Sequence, residues 1–304
     1  MKKPGSVFAL AAMLTFSAAA LTACTVAEAS THTAEETSYT AGASVHSSSR
    51  LEEILERGYI EVATEPSFAP NEFIDPTKTG DEQYVGSDIE LARYIADSLG
   101  VELRLKPMDF TSVLGSITAG KYDLAISALA YTPERAETMN LSKAYYYGSE
   151  DPQKAYGLLI REEDADVIRS ADDLAGKTVV AQNGSIQEQL VMEQLSGYGK
   201  YNRVSSTNDA ILMVKAGKAD AAAVATKMAR LYLESNPDCG LTILDDFYFT
   251  VDEATQGTRI GIGKGEDELT EKINEIIDEV VEQDLYNQWY EEYREYAKTL
   301  GIQS

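Results

Sequence analysis

Residues 86–127 read GSDIELARYIADSLGVELRLKPMDFTSVLGSITAGKYDLAIS, and their pattern decides the fold. Across Asp88–Leu99, the apolar residues Leu91, Ala92, Ile95 and Leu99 recur on one helical face, and Gly100 stops the helix. Val101–Lys106 then reads as a strand, Thr111–Ala119 as a second helix closed by Gly120, and Asp123–Ser127 as a short apolar strand of the buried, parallel type. Strands alternating with helices at this spacing predict an α/β architecture.

The same plan extends outward in both directions. Upstream, Leu51, Ile54 and Leu55 share a helix face and Tyr59–Thr64 reads as a strand. Downstream, Thr178–Ala181 is a strand, Ser185–Leu195 a helix, Asn208–Ala216 a helix closed by Gly217, and Asp220–Val224 a strand. Ala119-Gly120-Lys121-Tyr122-Asp123 is echoed 97 residues later by Ala216-Gly217-Lys218-Ala219-Asp220, which suggests two lobes of similar topology. After a strand at Ile260–Gly263, Glu266–Glu282 and Leu285–Leu300 are amphipathic helices able to return over the first lobe. Ile273, Ile276, Ile277, Val280 and Val281 form the apolar face of the first. Trp289 and the tyrosines at 286, 290, 293 and 296 are expected to pack on a core rather than bind a cofactor.

The leader carries a separate signal. Lys2 and Lys3 precede an apolar run from Val7 to Leu21 and the stretch Leu21-Thr22-Ala23-Cys24. This predicts a secretory signal peptide over 1–23 with Cys24 as a lipidated first residue of the mature chain. The run is too short for a permanent span. Residues 25–50 hold eleven Ser or Thr and no apolar period, so 24–50 is expected to be a flexible spacer. With Cys24 in the anchor, Cys239 is left alone after the turn-like Asn236-Pro237-Asp238, as an inert, partly buried thiol.

Composition narrows the chemistry. Both histidines, His32 and His46, precede residue 50, which removes His-based triads and His-rich metal sites from the body. The 26 basic and 50 acidic residues give −24, or −26 once Lys2 and Lys3 are removed. That balance disfavours a duplex nucleic-acid partner. No cofactor and no metal are expected.

Gly86-Ser87-Asp88-Ile89-Glu90-Leu91-Ala92-Arg93-Tyr94-Ile95-Ala96 resembles the signature helix of family 3 extracellular solute-binding proteins, the polar amino-acid receptors of ABC importers, with Ser87 where an aromatic or aliphatic residue is usual. Thr64–Phe73 resembles the first ligand loop of that family, Lys106–Phe110 a stretch of its glutamine-binding members, Asp123–Arg135 the strand and loop that hold the ligand carboxylate, and Lys264–Leu269 the start of the returning C-terminal segment. The resemblance spans about residue 51 to the end. It implies a two-lobed, periplasmic-binding-protein-like (type II) α/β fold with a hinge of two crossing strands near Tyr145–Gly157 and Ala254–Arg259. Lobe 1 would comprise 51–150 plus 256–304, and lobe 2 would comprise 151–255. Ligand would be caught by closure of the cleft.

Carried over residue by residue, the resemblance gives Arg135 the clamp on the ligand's α-carboxylate, a role suited to a bidentate guanidinium. Phe68 and Phe110 become aromatic walls, a core position being the alternative for Phe110. Glu65 becomes the acid facing the ligand side chain, a solvated charge being its alternative. Ser127 and Ala128, within the strand and loop that hold the carboxylate, become ligand-binding residues as well. Asn183-Gly184-Ser185 precedes a helix, so the amides of these three residues, with the N–H of nearby Ile186, could cradle an anion. Two positions depart from the family. Ala130 replaces a usual Ser or Thr, and Ala225 replaces the usual aspartate that pairs with the α-ammonium. The amine then pairs with Glu65, bonds Thr226 (directly, or through a register one residue different), or is missing from the ligand. The function implied is a lipid-anchored extracytoplasmic receptor, monomeric, that captures an amino acid or related small carboxylate for an ABC permease. The alternatives are a dehydratase-like enzyme on the same fold with Glu65 as its acid, and a non-transporting sensor lipoprotein.

Overall fold

The computed structural model describes residues 48–148, 151–253 and 256–301. The leader, Cys24 and nearly all of the spacer therefore lie outside the described residues, as do parts of both expected crossings. In chain order the elements are α1 (Arg50–Arg57), β1 (Tyr59–Thr64), β2 (Ser67–Phe68), β3 (Glu72–Ile74), β4 (Tyr84–Val85), α2 (Ser87–Leu99), β5 (Glu102–Pro107), α3 (Phe110–Thr118), β6 (Leu124–Ala130), α4 (Pro133–Thr138) and β7 (Met139–Leu141). They continue with β8 (Tyr156–Arg161), β9 (Thr178–Gln182), α5 (Ile186–Gln194), β10 (Lys200–Val204), α6 (Thr207–Lys215), β11 (Ala221–Ala225), α7 (Thr226–Ser235), β12 (Leu241–Tyr248), β13 (Thr258–Gly263), α8 (Asp267–Glu282) and α9 (Leu285–Thr299).

Two five-stranded sheets, ordered β5-β1-β6-β13-β7 and β10-β9-β11-β8-β12, form the centres of two lobes, and β2-β3-β4 is a small third sheet. Each large sheet is mixed. In the first, β1 runs parallel to β5 and β6, while β13 is antiparallel to β6 and β7. In the second, β9 runs parallel to β10 and β11, while β8 is antiparallel to β11 and β12. The strands at the sheet centres, such as Leu124–Ile126 and Ala221–Val224, are fully apolar because helices cover both of their faces.

The sequence echo marks a shared structural device. In both copies the glycine after the helix sits in the left-handed region, Gly120 at φ 64° and Gly217 at φ 66°, where a side chain would be strained. The aspartate that follows then ties the next strand to its neighbour. Asp123 accepts from the Glu61 N–H at 2.7 Å, and Asp220 accepts from the Thr178 N–H at 2.7 Å. Each aspartate also meets an arginine, Arg57 for Asp123 and Arg161 for Asp220.

Helices α8 and α9 do return over the first lobe. Ile273, Ile276, Ile277, Val280, Tyr286 and Tyr290 join Ile54, Leu91, Ile95 and Ile260 in its core. Val281, expected on the same face, is 52% exposed, because it falls at the edge of the buried stripe. Ser49 caps α1 and Arg50 begins it, so the folded unit starts slightly before the expected end of the spacer. Cys239 is half-buried and free.

Candidate functional site

A cleft between the two sheets is lined by all eight residues that the sequence nominated: Glu65, Phe68, Phe110, Ser127, Ala128, Arg135, Ser185 and Ile186. Gly86 begins the arrangement. It sits at φ 131°, and a Cβ there would lie 2.1 Å from the Asn71 carbonyl oxygen. Only glycine lets the loop after β2 dock on the start of α2, where Ser87 and Asp88 donate their N–H groups to the Pro70 and Asn71 carbonyls. That docking carries Asp88 beneath the cleft floor. Asp88 accepts from the Tyr145 hydroxyl at 2.9 Å, from the Tyr286 hydroxyl at 2.5 Å and from the Ala128 N–H at 2.7 Å. Ala128 has φ 47°, a left-handed conformation that costs energy for a residue with a Cβ, and the Asp88 bond helps to hold it.

Ser87 and Asn71 complete this network by donating to the same Tyr286 hydroxyl, at 3.0 and 2.9 Å. The departure at Ser87 thereby has a physical role, since a hydroxyl at this buried position wires α2 to the C-terminal helix. Ser127 links the acids above. It donates to Glu72 at 2.9 Å and accepts from the Glu65 N–H at 3.0 Å. Burial first, and then the neighbouring Asp88 and Glu65 charges, push the Glu72 carboxyl well above the usual range. Its Oε2 is buried with no hydrogen-bond partner among the described residues. Burial raises the Asp88 carboxyl too, but bonds from Tyr286, Ala128 and Tyr145 oppose that rise, so Glu72 is the member of the pair that holds its proton more tightly.

Glu65 is also buried, and desolvation pushes it up to about 7 against the opposing bonds from Ser67 and Gln182. The Gln182 amide crosses the cleft to reach it at 2.9 Å. Arg135, only 7% exposed, crosses in the other direction. Its guanidinium donates to the Ala130 carbonyl at 2.6 Å and to the Gly184 carbonyl at 2.9 Å, and lies 5.5 Å from the Phe110 ring centre. Burial lowers it to about 10. Among the described residues, no carboxylate forms an ion pair with it. A buried guanidinium whose bonds go to neutral carbonyls keeps a charge that those bonds do not balance.

Phe110 fills both of its proposed positions, packing with Val113, Ile117 and Leu129 while lining the cleft. Phe68 packs against the second-lobe cluster of Ala225 and Tyr232. The expected cradle at Asn183-Gly184-Ser185 needs correction. These three amides are spent on Val204, Glu188 and Gln182. The first-turn amides of Ile186 and Gln187, which a helix leaves without internal partners, are the ones at the cleft. Both Ala225 and Thr226 line the cleft. Ala225 ends β11 and is the N-cap of α7, with no side-chain cap. The Thr226 hydroxyl donates to the Lys154 carbonyl at 2.5 Å, with the Ala155 carbonyl at 3.2 Å.

Several cleft residues escaped the sequence reading: Gln182, Tyr146, Tyr156 and Tyr290. Gln182 directly precedes the loop read as an anion cradle, which was the available clue. The lobes are closed on each other. Besides the bonds above, Asn208 reaches the Ser67 carbonyl at 3.2 Å, Lys227 the Tyr146 hydroxyl at 2.6 Å, and Glu234 of α7 pairs with Arg294 and Lys298 of α9. Tyr146 and Thr258, one in each of the two segments expected to cross between the lobes, form an antiparallel bridge.

Comparison with known proteins follows the same lines. Residues 60–296 match the sequence profile of the bacterial extracellular solute-binding proteins, family 3. The chain is 32% identical over 237 residues to the arginine-binding extracellular protein ArtP of Bacillus subtilis, covering 75% of this chain and 85% of that one. A solved amino acid ABC transporter substrate-binding protein, AbpA of Streptococcus pneumoniae bound to L-arginine, superposes with a TM-score of 0.71 at 33% identity, covering 83% of this chain and all of that one. An ancestral amino acid-binding protein described as a precursor of cyclohexadienyl dehydratase superposes with a TM-score of 0.68 at 26% identity, covering 81% of this chain and 99% of that one.

Proposed function

Because the chain belongs to the bacterial extracellular solute-binding proteins of family 3, we propose that it is a lipid-anchored receptor that closes on an amino acid or related small carboxylate and delivers it to an ABC permease. Residues 51–150 with 256–304 would move as one body against 151–255. Cys24 would hold the receptor at the membrane through the Ser/Thr-rich spacer, keeping its local concentration at the permease high. The receptor would work as a monomer.

The observation that carries this reading is Arg135. It spans both lobes through Ala130 and Gly184 while its charge has no anionic partner among the described residues. A ligand carboxylate would supply that partner and bond both lobes at once, and only closed protein makes both sets of contacts. Binding energy and closure are then the same event. Phe68, Phe110 and Tyr146 would cover the ligand's flanks, and Glu65 with Gln182 would receive the far end of its side chain.

An enzyme on this scaffold, with Glu65 as its acid, has less support. The family and the arginine-binding relatives are named for capture rather than turnover, and fold alone assigns no chemistry. Calorimetry of the purified chain against amino acids and related carboxylates tests the proposal. Saturable one-to-one binding that Arg135→Ala weakens at least a hundredfold is expected. An unresponsive panel, or indifference to Arg135→Ala, would defeat it.

A further inference from the structure

Resting on that reading, we propose that the cleft selects a carboxylate whose positive charge sits at the far end of its chain and which carries no ammonium next to the carboxylate. Within the cleft the Arg135 end is positive, since Glu134, the acid beside Arg135 in the chain, does not line it. The guanidinium is joined by the first turn of α5 at Ile186 and by the first turn of α7 at Lys227 and Met228, the Thr226 N–H itself being bonded to the Ala155 carbonyl; both turns border the cleft with the positive ends of their helix dipoles. The cap of α7 is Ala225, which has no oxygen to offset that end. Thr226 gives its hydroxyl proton to the Lys154 carbonyl, leaving an oxygen that can accept a hydrogen bond but carries no charge; the Met228 thioether is only a weak acceptor, and the side chains of Ile186 and Val251 cannot accept at all. Among the described residues, no acidic side chain of the second sheet's lobe lines the cleft.

The acids lie elsewhere. Glu65 and Glu72 both meet Ser127, three residues along β6 from the Ala130 carbonyl that Arg135 holds, a separation of at most about 10 Å along an extended strand. A carboxylate at Arg135 thus places a distal guanidinium or ammonium towards Glu65. An α-ammonium would sit beside Arg135 and two positive helix ends with no counter-charge. Backbone carbonyls could accept its protons, but they would not balance its charge, and a buried charged group left underpaired is costly.

Matched ligand pairs test this on the purified chain, stripped of bound ligand by unfolding and refolding. The pairs are L-arginine with δ-guanidinovalerate, which is arginine without its α-amine, and L-lysine with ε-aminocaproate, which is lysine without its α-amine. Calorimetry should show the member lacking the α-amine binding tenfold tighter or better in each pair. Ala225→Asp, which also supplies a helix cap, should reverse that order. The inference is overturned if the wild-type chain binds L-arginine and L-lysine as well as their deaminated partners, or if Ala225→Asp leaves the ratios unchanged. Failure of every member of the panel to bind would overturn it together with the proposed function, whereas binding of the amino acids alone would overturn only the inference.

Discussion

Replacing Glu65 by glutamine should make the protein more stable at neutral pH and abolish a pH dependence that the wild type carries. Burial lifts the Glu65 carboxyl from 4.5 to about 7, with Asp109 and Asp209 adding to the lift and Ser67 and Gln182 opposing it. The folded state therefore holds this proton more tightly than the unfolded chain does. The stability it contributes is complete below about pH 4.5 and is lost as pH rises to about 7. A difference of 2.5 pH units corresponds to about 3 kcal/mol at 1.36 kcal/mol per unit. The amide introduced by Glu65→Gln has no such proton to lose, so the variant should gain that amount on the wild type across the window. For a folded unit of this size that is roughly 6–12 °C in Tm.

Thermal unfolding of ligand-stripped protein from about pH 4.5 to about pH 8 measures the effect, and taking the difference between the two proteins removes the similar slopes expected from Glu72 and Asp88. Wild-type and variant curves that run parallel through the window would refute the claim that Glu65 is desolvated. The same carboxylate should make capture of a cationic ligand tighten as pH rises, by up to about tenfold per unit below pH 7, and Glu65→Gln should flatten that dependence as well.

Other consequences concern the floor of the cleft. Gly86→Ala puts a methyl carbon 2.1 Å from the Asn71 carbonyl oxygen, and a loss of at least about 3 kcal/mol, or failure to fold, is expected in denaturant titration. Tyr286→Phe removes the hydroxyl that Asn71 and Ser87 donate to and that donates to Asp88, which should cost about 2–4 kcal/mol in the same assay. Because Asp88 still holds the Ala128 amide, ligand affinity in folded Tyr286→Phe protein should fall far less than in Arg135→Ala.

Local signals made much of this architecture legible. The stripe of Leu91, Ala92 and Ile95, the glycines at 100, 120 and 217, and the apolar run at Leu124–Ile126 each report on neighbours a few residues away, and the predicted elements fall within a residue or two of their expected ends, except β6, which runs three residues past Ser127 to Ala130. The two-residue strands Ser67–Phe68 and Tyr84–Val85 carry no period to detect and exist only because β3 pairs with both. The eight nominated residues all line the cleft. What those positions do depends on distant partners. The role of Ser87 needs Tyr286, 199 residues away, and the raised carboxyl of Glu72 needs burial and the Asp88 and Glu65 charges, against the opposing bond from Ser127. The amides at 183–185 looked free in sequence and are consumed by Val204, Glu188 and Gln182, which only the folded chain brings there.

Mass spectrometry of whatever small molecule co-purifies with the folded chain under non-denaturing conditions tests the central claim most directly. The wild-type protein is expected to carry about one carboxylate-bearing molecule per chain. Arg135→Met, which keeps the apolar volume of the side chain but removes the guanidinium that bridges Ala130 and Gly184, is expected to emerge folded and empty. A variant that retains the same molecule in the same amount would contradict the claim that this buried arginine is what the cleft closes around.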